Sequence, residues 1–388
     1  MKKNHVFLLV CLFCCAISSC SKDDDDSGIS ATGIPNNSEA GPSPYVNPAE
    51  SNVNIPNVGF ALEEINGHKV VNMNMTGIFN RQTGEWLDLQ GTSTAGQNIW
   101  LEIDGVPRSI KTESTATKSR ATRAKALVDL VFLVDNSGSM SEEADLLAKE
   151  IESWSAKLAT MLDLKLGCVG YDDGYISGGM DLDTYENLSA FLNREGYSGT
   201  SRTKGFIGTN ATQLTITATT GAYVTYGECG GAALHFADEH YSFRPGANRL
   251  YVNFTDEPNQ PGNGKKMFSV ESVASQEDWK VWQGTIHTVF SGSDYYDEDY
   301  EWREFYKEKP WLMSDYTGGT AIIDAPSDFE GVTLEALPVT GALANSYNVK
   351  FHFTSDLSTG LHTVKITILS PDKTVKAVRE FVDVDFTK

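Results

Sequence analysis

Residues 127–134 read LVDLVFLV, a near-continuous apolar run. Such a run suits a strand covered on both faces, as in a parallel sheet. Residues 142–162 follow, with Leu146, Leu147, Ile151, Trp154, Leu158, Met161 and Leu162 at helical spacing. Strand and helix signals then alternate: strand 164–171, a short helix 231–239, strand 249–255, helix 269–282, strand 285–290 and a last short strand 321–323. That alternation predicts an α/β domain with a doubly wound, Rossmann-like sheet.

On either side the pattern is purely β. Segments 68–75 (HKVVNMNM), 98–103 (NIWLEI), 347–353 (YNVKFHF), 362–369 (HTVKITIL) and 375–384 have strand-like alternation or β-rich content. Residues 77–84 and 370–373 are turn material, and 112–125 is a polar, basic connector. Each flank holds few strands for a core of its own. The economical arrangement is one all-β, immunoglobulin-like sandwich made of residues 56–125 and 341–388, with the α/β domain, 126–340, inserted between them. Two separate small β domains are the alternative.

The N-terminus looks like an address. Lys2 and Lys3 precede an apolar run over 6–17, too short for a spanning helix, so 1–19 reads as a signal peptide. It ends in Ile17-Ser18-Ser19-Cys20, which resembles the bacterial lipobox and implies that Cys20 is acylated and anchors the mature chain to a membrane. The acids Asp23 to Asp26 resemble the export signal of Bacteroidetes surface lipoproteins, which implies display on the outer membrane. Residues 20–55, rich in Ser, Gly, Pro and Asn, read as a flexible tether.

Composition narrows the partners. The 388 residues carry 31 basic and 52 acidic side chains, a net charge of −21, which argues against a nucleic-acid partner and is compatible with cations. Only Cys168 and Cys229 lie beyond the first twenty residues, so a disulfide scaffold is excluded.

The most informative residues follow the first buried run: Asp135-Asn136-Ser137-Gly138-Ser139. One carboxylate and two hydroxyls at the carboxyl end of a parallel strand supply hard oxygens where α/β sheets gather ligands. The motif and its setting resemble the von Willebrand factor A (VWA) domain and its metal-ion-dependent adhesion site. The resemblance covers residues 126–328 and implies a divalent cation, Mg²⁺ with Mn²⁺ or Ca²⁺ as substitutes. Asp256, after the strand 249–255, matches the family's third loop, and Glu228 stands where many members carry Thr. Integrin β subunits also place Glu there. They resemble this chain again at Met140-Ser141-Glu142-Glu143, which implies an adjacent cation at Glu142 and Glu143. The strand ending in Asp172-Asp173 resembles a third cation site and points to Asp173, although Tyr223 and Thr225 replace the pattern's Asn and Asp. The function implied is adhesion, with a protein ligand offering a carboxylate to the cation. A structural subunit of an envelope or pilus complex is the alternative. No nucleophile–base pair stands beside the motif, so catalysis is not expected. Residues 291–307 add acids and aromatics expected at the rim.

Replacing Cys20 with Ala should abolish lipid labelling and release the protein from the membrane fraction. Retention of the variant in membranes, with no label on the wild type, would show that the address is misread.

Overall fold

The computed structural model describes residues 31–387 except 81, 116–126, 142, 277, 292–306, 324 and 327–337. Cys20, the acids at 23–26, Glu142 and most of the aromatic, acidic stretch lie outside the described residues. Among those described, no helix is long and apolar enough to cross a membrane.

The chain first lays down β1 (Gly59–Ile65), β2 (His68–Met75), a small hairpin of β3 (Phe79–Asn80) and β4 (Glu85–Trp86), β5 (Ile99–Ile103), β6 (Val106–Arg108) and β7 (Lys111–Ser114). The α/β region follows as β8 (Leu127–Asp135), α1 (Ala144–Met161), β9 (Asp163–Asp172), β10 (Tyr175–Asp183), α2 (Tyr185–Leu192), β11 (Gly205–Ile207), α3 (Ala211–Thr219), α4 (Gly230–His240), β12 (Asn248–Thr255), α5 (Val270–Ala274), β13 (Thr285–Phe290), α6 (Leu312–Thr317), β14 (Ala321–Ile322) and α7 (Pro338–Ala344). The last strands are β15 (Tyr347–His352), β16 (His362–Leu369) and β17 (Lys376–Val384).

Among the described residues the α/β strands form one seven-stranded sheet in the order β11-β10-β9-β8-β12-β13-β14. Strands β9, β8, β12, β13 and β14 pair in parallel, and β10 lies antiparallel to β9. The apolar run of β8 is explained by its neighbours. Val128, Leu130, Phe132 and Val134 pack with Leu147, Ile151, Trp154 and Leu158 of α1. Val131 and Leu133 face the other way, toward Ala233, Leu234 and Phe236 of α4. Asp129, fully buried in the same strand, is held by the Arg244 Nε at 2.7 Å and the Arg244 backbone N–H at 2.7 Å.

The strands before and after this region meet in two antiparallel sheets, β1-β2-β15-β7 and β17-β16-β5-β6. One apolar cluster joins them: Val71, Met73, Val349 and Phe351 of the first sheet pack with Ile99, Leu101, Ile366 and Phe381 of the second. Strand β15 sits between β2 and β7, pairing Tyr347 with both Met75 and Ser114.

Two expectations change. The tether of 20–55 is, over its described part, laid against the paired sheets. Ile34, Val46, Val53 and Ile55 are buried, and the Asn52 N–H donates to the Lys376 carbonyl at 2.9 Å along the edge of β17. The helix expected over 269–282 stops at Ala274, and a 3-10 turn, Val281–Gln283, closes the segment. Val273 and Trp279 belong to the apolar layer beneath α4, whereas Val281 belongs to the cluster of the paired sheets. One continuous helix does not serve two cores.

Arg379 on β17 joins the layers. Its Nη1 donates to the Ile55 carbonyl at 2.5 Å, and its Nη2 to Asn57 Oδ1 at 2.7 Å and to the Tyr316 carbonyl at 2.9 Å. Arg379→Ala should therefore cost about 2 kcal/mol or more in urea unfolding, since charged hydrogen-bond donors are lost and carbonyls are left unpaired. A change within experimental error would mean that the fork does not hold the layers together.

Candidate metal centre

Connections leave β8 toward β9 on one side and leave β12 toward β13 on the other, so the strand order reverses between β8 and β12. Ligands collect at the carboxyl ends of strands at such a reversal. Asp135 is the last residue of β8 and Thr255 the last of β12.

Asp135 is 1% exposed. Its Oδ1 accepts the Ser137 N–H at 3.0 Å, and its Oδ2 accepts the Thr255 hydroxyl at 2.8 Å. The chain of oxygens continues outward. Ser137 Oγ and Ser139 Oγ are 2.9 Å apart, and Ser139 Oγ donates to Asp256 Oδ1 at 3.1 Å. Ser139 is exposed and Asp256 half-buried, so the row opens to solvent at that end. Asn136 turns away from it and braces the loop, donating to Ser177 Oγ at 2.7 Å and Thr203 Oγ1 at 2.9 Å.

Glu228 lies half-buried in the loop before α4. Its carboxylate accepts Gln260 Nε2 at 3.1 Å, and its carbonyl accepts the Gln260 N–H at 2.8 Å, which straps this loop to the one carrying Asp256. Asn259 makes a second strap. Its Oδ1 accepts the Gly231 N–H at 2.9 Å, and its Nδ2 donates to Glu308 Oε2 at 2.7 Å. Gly231 allows this approach, because a Cβ there would lie 2.1 Å from the Phe268 carbonyl oxygen.

The electrostatics are one-sided. Burial pushes the Asp135 carboxyl well above its usual range, the hydrogen bonds from Ser137 and Thr255 oppose this, and Asp256 adds to it. Burial raises Asp256, against the Ser139 hydroxyl. Burial also raises Glu228, with Asp173, Asp256 and Asp172 adding to the rise. Among the described residues no Lys, Arg or His forms an ion pair with Asp135, Asp256 or Glu228. Asp172, by contrast, is paired with Lys204 at 2.6 Å.

The structure thus brings Asp135, Ser137, Ser139 and Asp256 into one hydrogen-bonded row, with Glu228 within electrostatic reach of Asp256. Of the secondary candidates, Glu143 and Asp173 are among the described residues. Glu143 is buried and accepts the Ser291 hydroxyl at 3.3 Å. Asp173 is exposed in the turn between β9 and β10, its N–H on Asp172 Oδ1 at 2.9 Å. Among the described residues no group of three or more His, Cys, Asp or Glu side chains is gathered as for a metal ion. A cation here would therefore draw on Asp135 and Asp256 together with the hydroxyls of Ser137 and Ser139. That all-oxygen set fits a small hard cation and leaves positions for water. The buried Cys229 thiol donates to Asn259 Oδ1 at 3.2 Å, and burial holds it well above the usual thiol range. Thr255, Asn259 and Gln260 were not singled out by sequence reasoning. Thr255 alone left a signal there, as the Thr of the Thr255-Asp256 pair.

No family model matches the chain, and no curated protein matches it. Among solved structures it is similar to an aerotolerance-related membrane protein from Bacteroides fragilis carrying multiple mutations to serines. The TM-score is 0.31 and the identity 16%, over 56% of this chain and 98% of that one. At so low a TM-score the fold is read from the strand order itself: a mixed α/β domain with a parallel sheet flanked by helices, compatible with a Rossmann-like domain.

The raised Asp135 carboxyl sets a pH dependence. In metal-free protein its contribution is fully present below about pH 4, the unfolded carboxyl value, and is lost as pH rises through the higher folded value. Asp135→Asn removes the charge and keeps the shape. It should stabilise chelator-treated protein at pH 7.5 by about 1–3 kcal/mol, with the gain vanishing near pH 4. Thermal unfolding across pH decides this; an Asn variant no more stable than wild type at pH 7.5 would mean that the buried charge is not costly.

Proposed function

We propose that the chain is a lipid-anchored protein of the outer-membrane surface that binds a protein ligand through a divalent cation, Mg²⁺ in the first instance. In this reading the α/β region is a VWA-type domain and Asp135, Ser137, Ser139 and Asp256 hold the ion. Glu228 adds negative charge, and an exposed coordination position accepts a carboxylate from the partner. The paired sheets act as an immunoglobulin-like stalk between Cys20 and the binding face.

One observation carries the proposal: a fully buried carboxylate, Asp135, faces hydroxyls and a second carboxylate and has no basic counter-charge among the described residues. A buried carboxylate is costly unless paired or coordinated to a metal. Asp129, the other fully buried acid of the same strand, follows that rule through its ion pair with Arg244. A bound cation supplies the missing charge and presents an electrophilic face to an acidic side chain. The row opens at Ser139 and Asp256, where a partner has access. We propose binding rather than turnover.

Titration with Mg²⁺, Mn²⁺ and Ca²⁺ by calorimetry should show binding to the wild type, and saturation at a hundred times Kd should add roughly 2.7 kcal/mol of stability. Asp135→Ala should lose both, and Ser137→Ala should weaken both. Capture of partners from surface extracts should depend on Mg²⁺ and fail with chelator. Equal ion binding by wild type and Asp135→Ala would sink the adhesion-site reading.

A further inference from the structure

A cavity of about 260 Å³ opens at the seam between β1 of the paired sheets and the loop that joins α4 to β12. Its walls include Phe60 from β1, Phe243 from the loop, and Trp282 from the 3-10 turn before β13. The volume exceeds the roughly 150 Å³ that takes a benzene ring, so one ring and a short side chain fit. Aromatic walls with a few convergent polar groups, at a domain seam, are the usual make-up of a small-molecule site.

Two arginines line the cavity, and they differ in what they have left to give. Arg244 is committed: its Nε is on Asp129 and its Nη1 on Asp163, both at 2.7 Å, with its Nη2 on the Val128 carbonyl at 2.7 Å. Arg249 makes one protein hydrogen bond among the described residues, Nη1 to Asp238 Oδ1 at 3.3 Å. The other oxygen of Asp238 accepts Gln283 Nε2 at 2.6 Å. The Arg249 guanidinium lies 4.4 Å from the centre of the Phe243 ring. A guanidinium stacked on a ring keeps its edge for a planar, bidentate partner, and a carboxylate matches that fork. The wall's acid, Asp385, is turned into its own bend, where Oδ1 accepts the Thr387 N–H at 2.9 Å and hydroxyl at 2.7 Å.

The seam is held shut around the cavity. Asn74 Nδ2 donates to the Gly246 carbonyl at 2.9 Å, and a Cβ on Gly246 would lie 2.9 Å from Ala61 Cβ. Phe60 is fixed from behind by Phe386, edge to face with ring centres 5.2 Å apart. The walls are therefore formed in advance of any ligand.

We infer that this cavity binds a small aromatic carboxylate, its ring between Phe60, Phe243 and Trp282 and its carboxylate on Arg249. The inference is independent of the metal centre. It is tested by calorimetry with 3-phenylpropionate, 3-phenylpropionamide and propionate, in chelator so that no cation captures the acid. The wild type should bind 3-phenylpropionate at least about tenfold more tightly than its amide, as expected for a hydrogen-bonded charge pair, and propionate not measurably. Arg249→Gln should bring the acid down to the level of the amide. Arg249→Lys, which keeps the charge and loses the fork, should fall between. Equal binding of acid and amide by the wild type overturns the inference without any variant. So does an unchanged preference in a folded Arg249→Gln, or no binding of either aromatic probe up to its solubility limit.

Discussion

Asp135 places a negative charge at the carboxyl end of a strand whose neighbours on both sides are strands and whose faces are covered by helices. Water does not reach it, and its partners in the chain are an N–H and a hydroxyl. Such a group is tolerable only where its surroundings are positioned in advance, and the surroundings are extensive. Thr255 must end β12 level with the end of β8, so the parallel register of those strands determines the second hydrogen bond to Asp135. Asn136, one residue on, has to turn away and find Ser177 and Thr203. The strand order, the reversal point and the loops therefore share one constraint.

The loops around the row carry Asp135, Asp256 and Glu228, three acids, and ion pairs do not draw them together. Hydrogen bonds from uncharged amide side chains do. Gln260 joins the backbone and carboxylate of Glu228, and Asn259 joins the start of α4 to Glu308. Amide side chains suit this position because each offers a donor and an acceptor without adding charge. The price of assembling like charges is thus met by partners that do not cancel them, so the loops keep their negative potential.

Much of this was legible in the sequence, for physical reasons. β8 declared itself because both of its faces are buried, and α1 because a single stripe of it is. Asp135, Ser137, Ser139 and Asp256 could be picked out as candidates because they follow buried strands directly, and the structure joins them in one hydrogen-bonded row. What was not legible depended on long-range partners. Thr255 finds Asp135 across 120 residues, and Asn259 finds Glu308 across 49, pairings that no local pattern signals. The segment 269–282 looked helical because its apolar residues are dense, but they serve two separate cores. Residues 31–55 looked like free tether because their apolar side chains come singly, without periodicity, yet Val53 and Ile55 join the core of the paired sheets. Cys20 and Glu142 lie outside the described residues, so what the sequence implies for them stands as read.

The position of β15 between β2 and β7 also bears on the order of events during synthesis. Thr115 and Ser346, hydrogen-bonded to each other, are 231 residues apart. The early strands β1 to β7 leave the ribosome long before β15, β16 and β17 exist, so the first sheet lacks an interior strand and the second two of its four. The α/β region, whose strands are all contiguous in sequence, has its full complement first. Its folding brings residues 127 and 344 to fixed places and thereby shortens the effective loop that β7 and β15 must close. Closure entropy grows with loop length, so a folded insert makes the late pairing less costly than a disordered one would. The α/β region is in this way also the splint on which the paired sheets are completed.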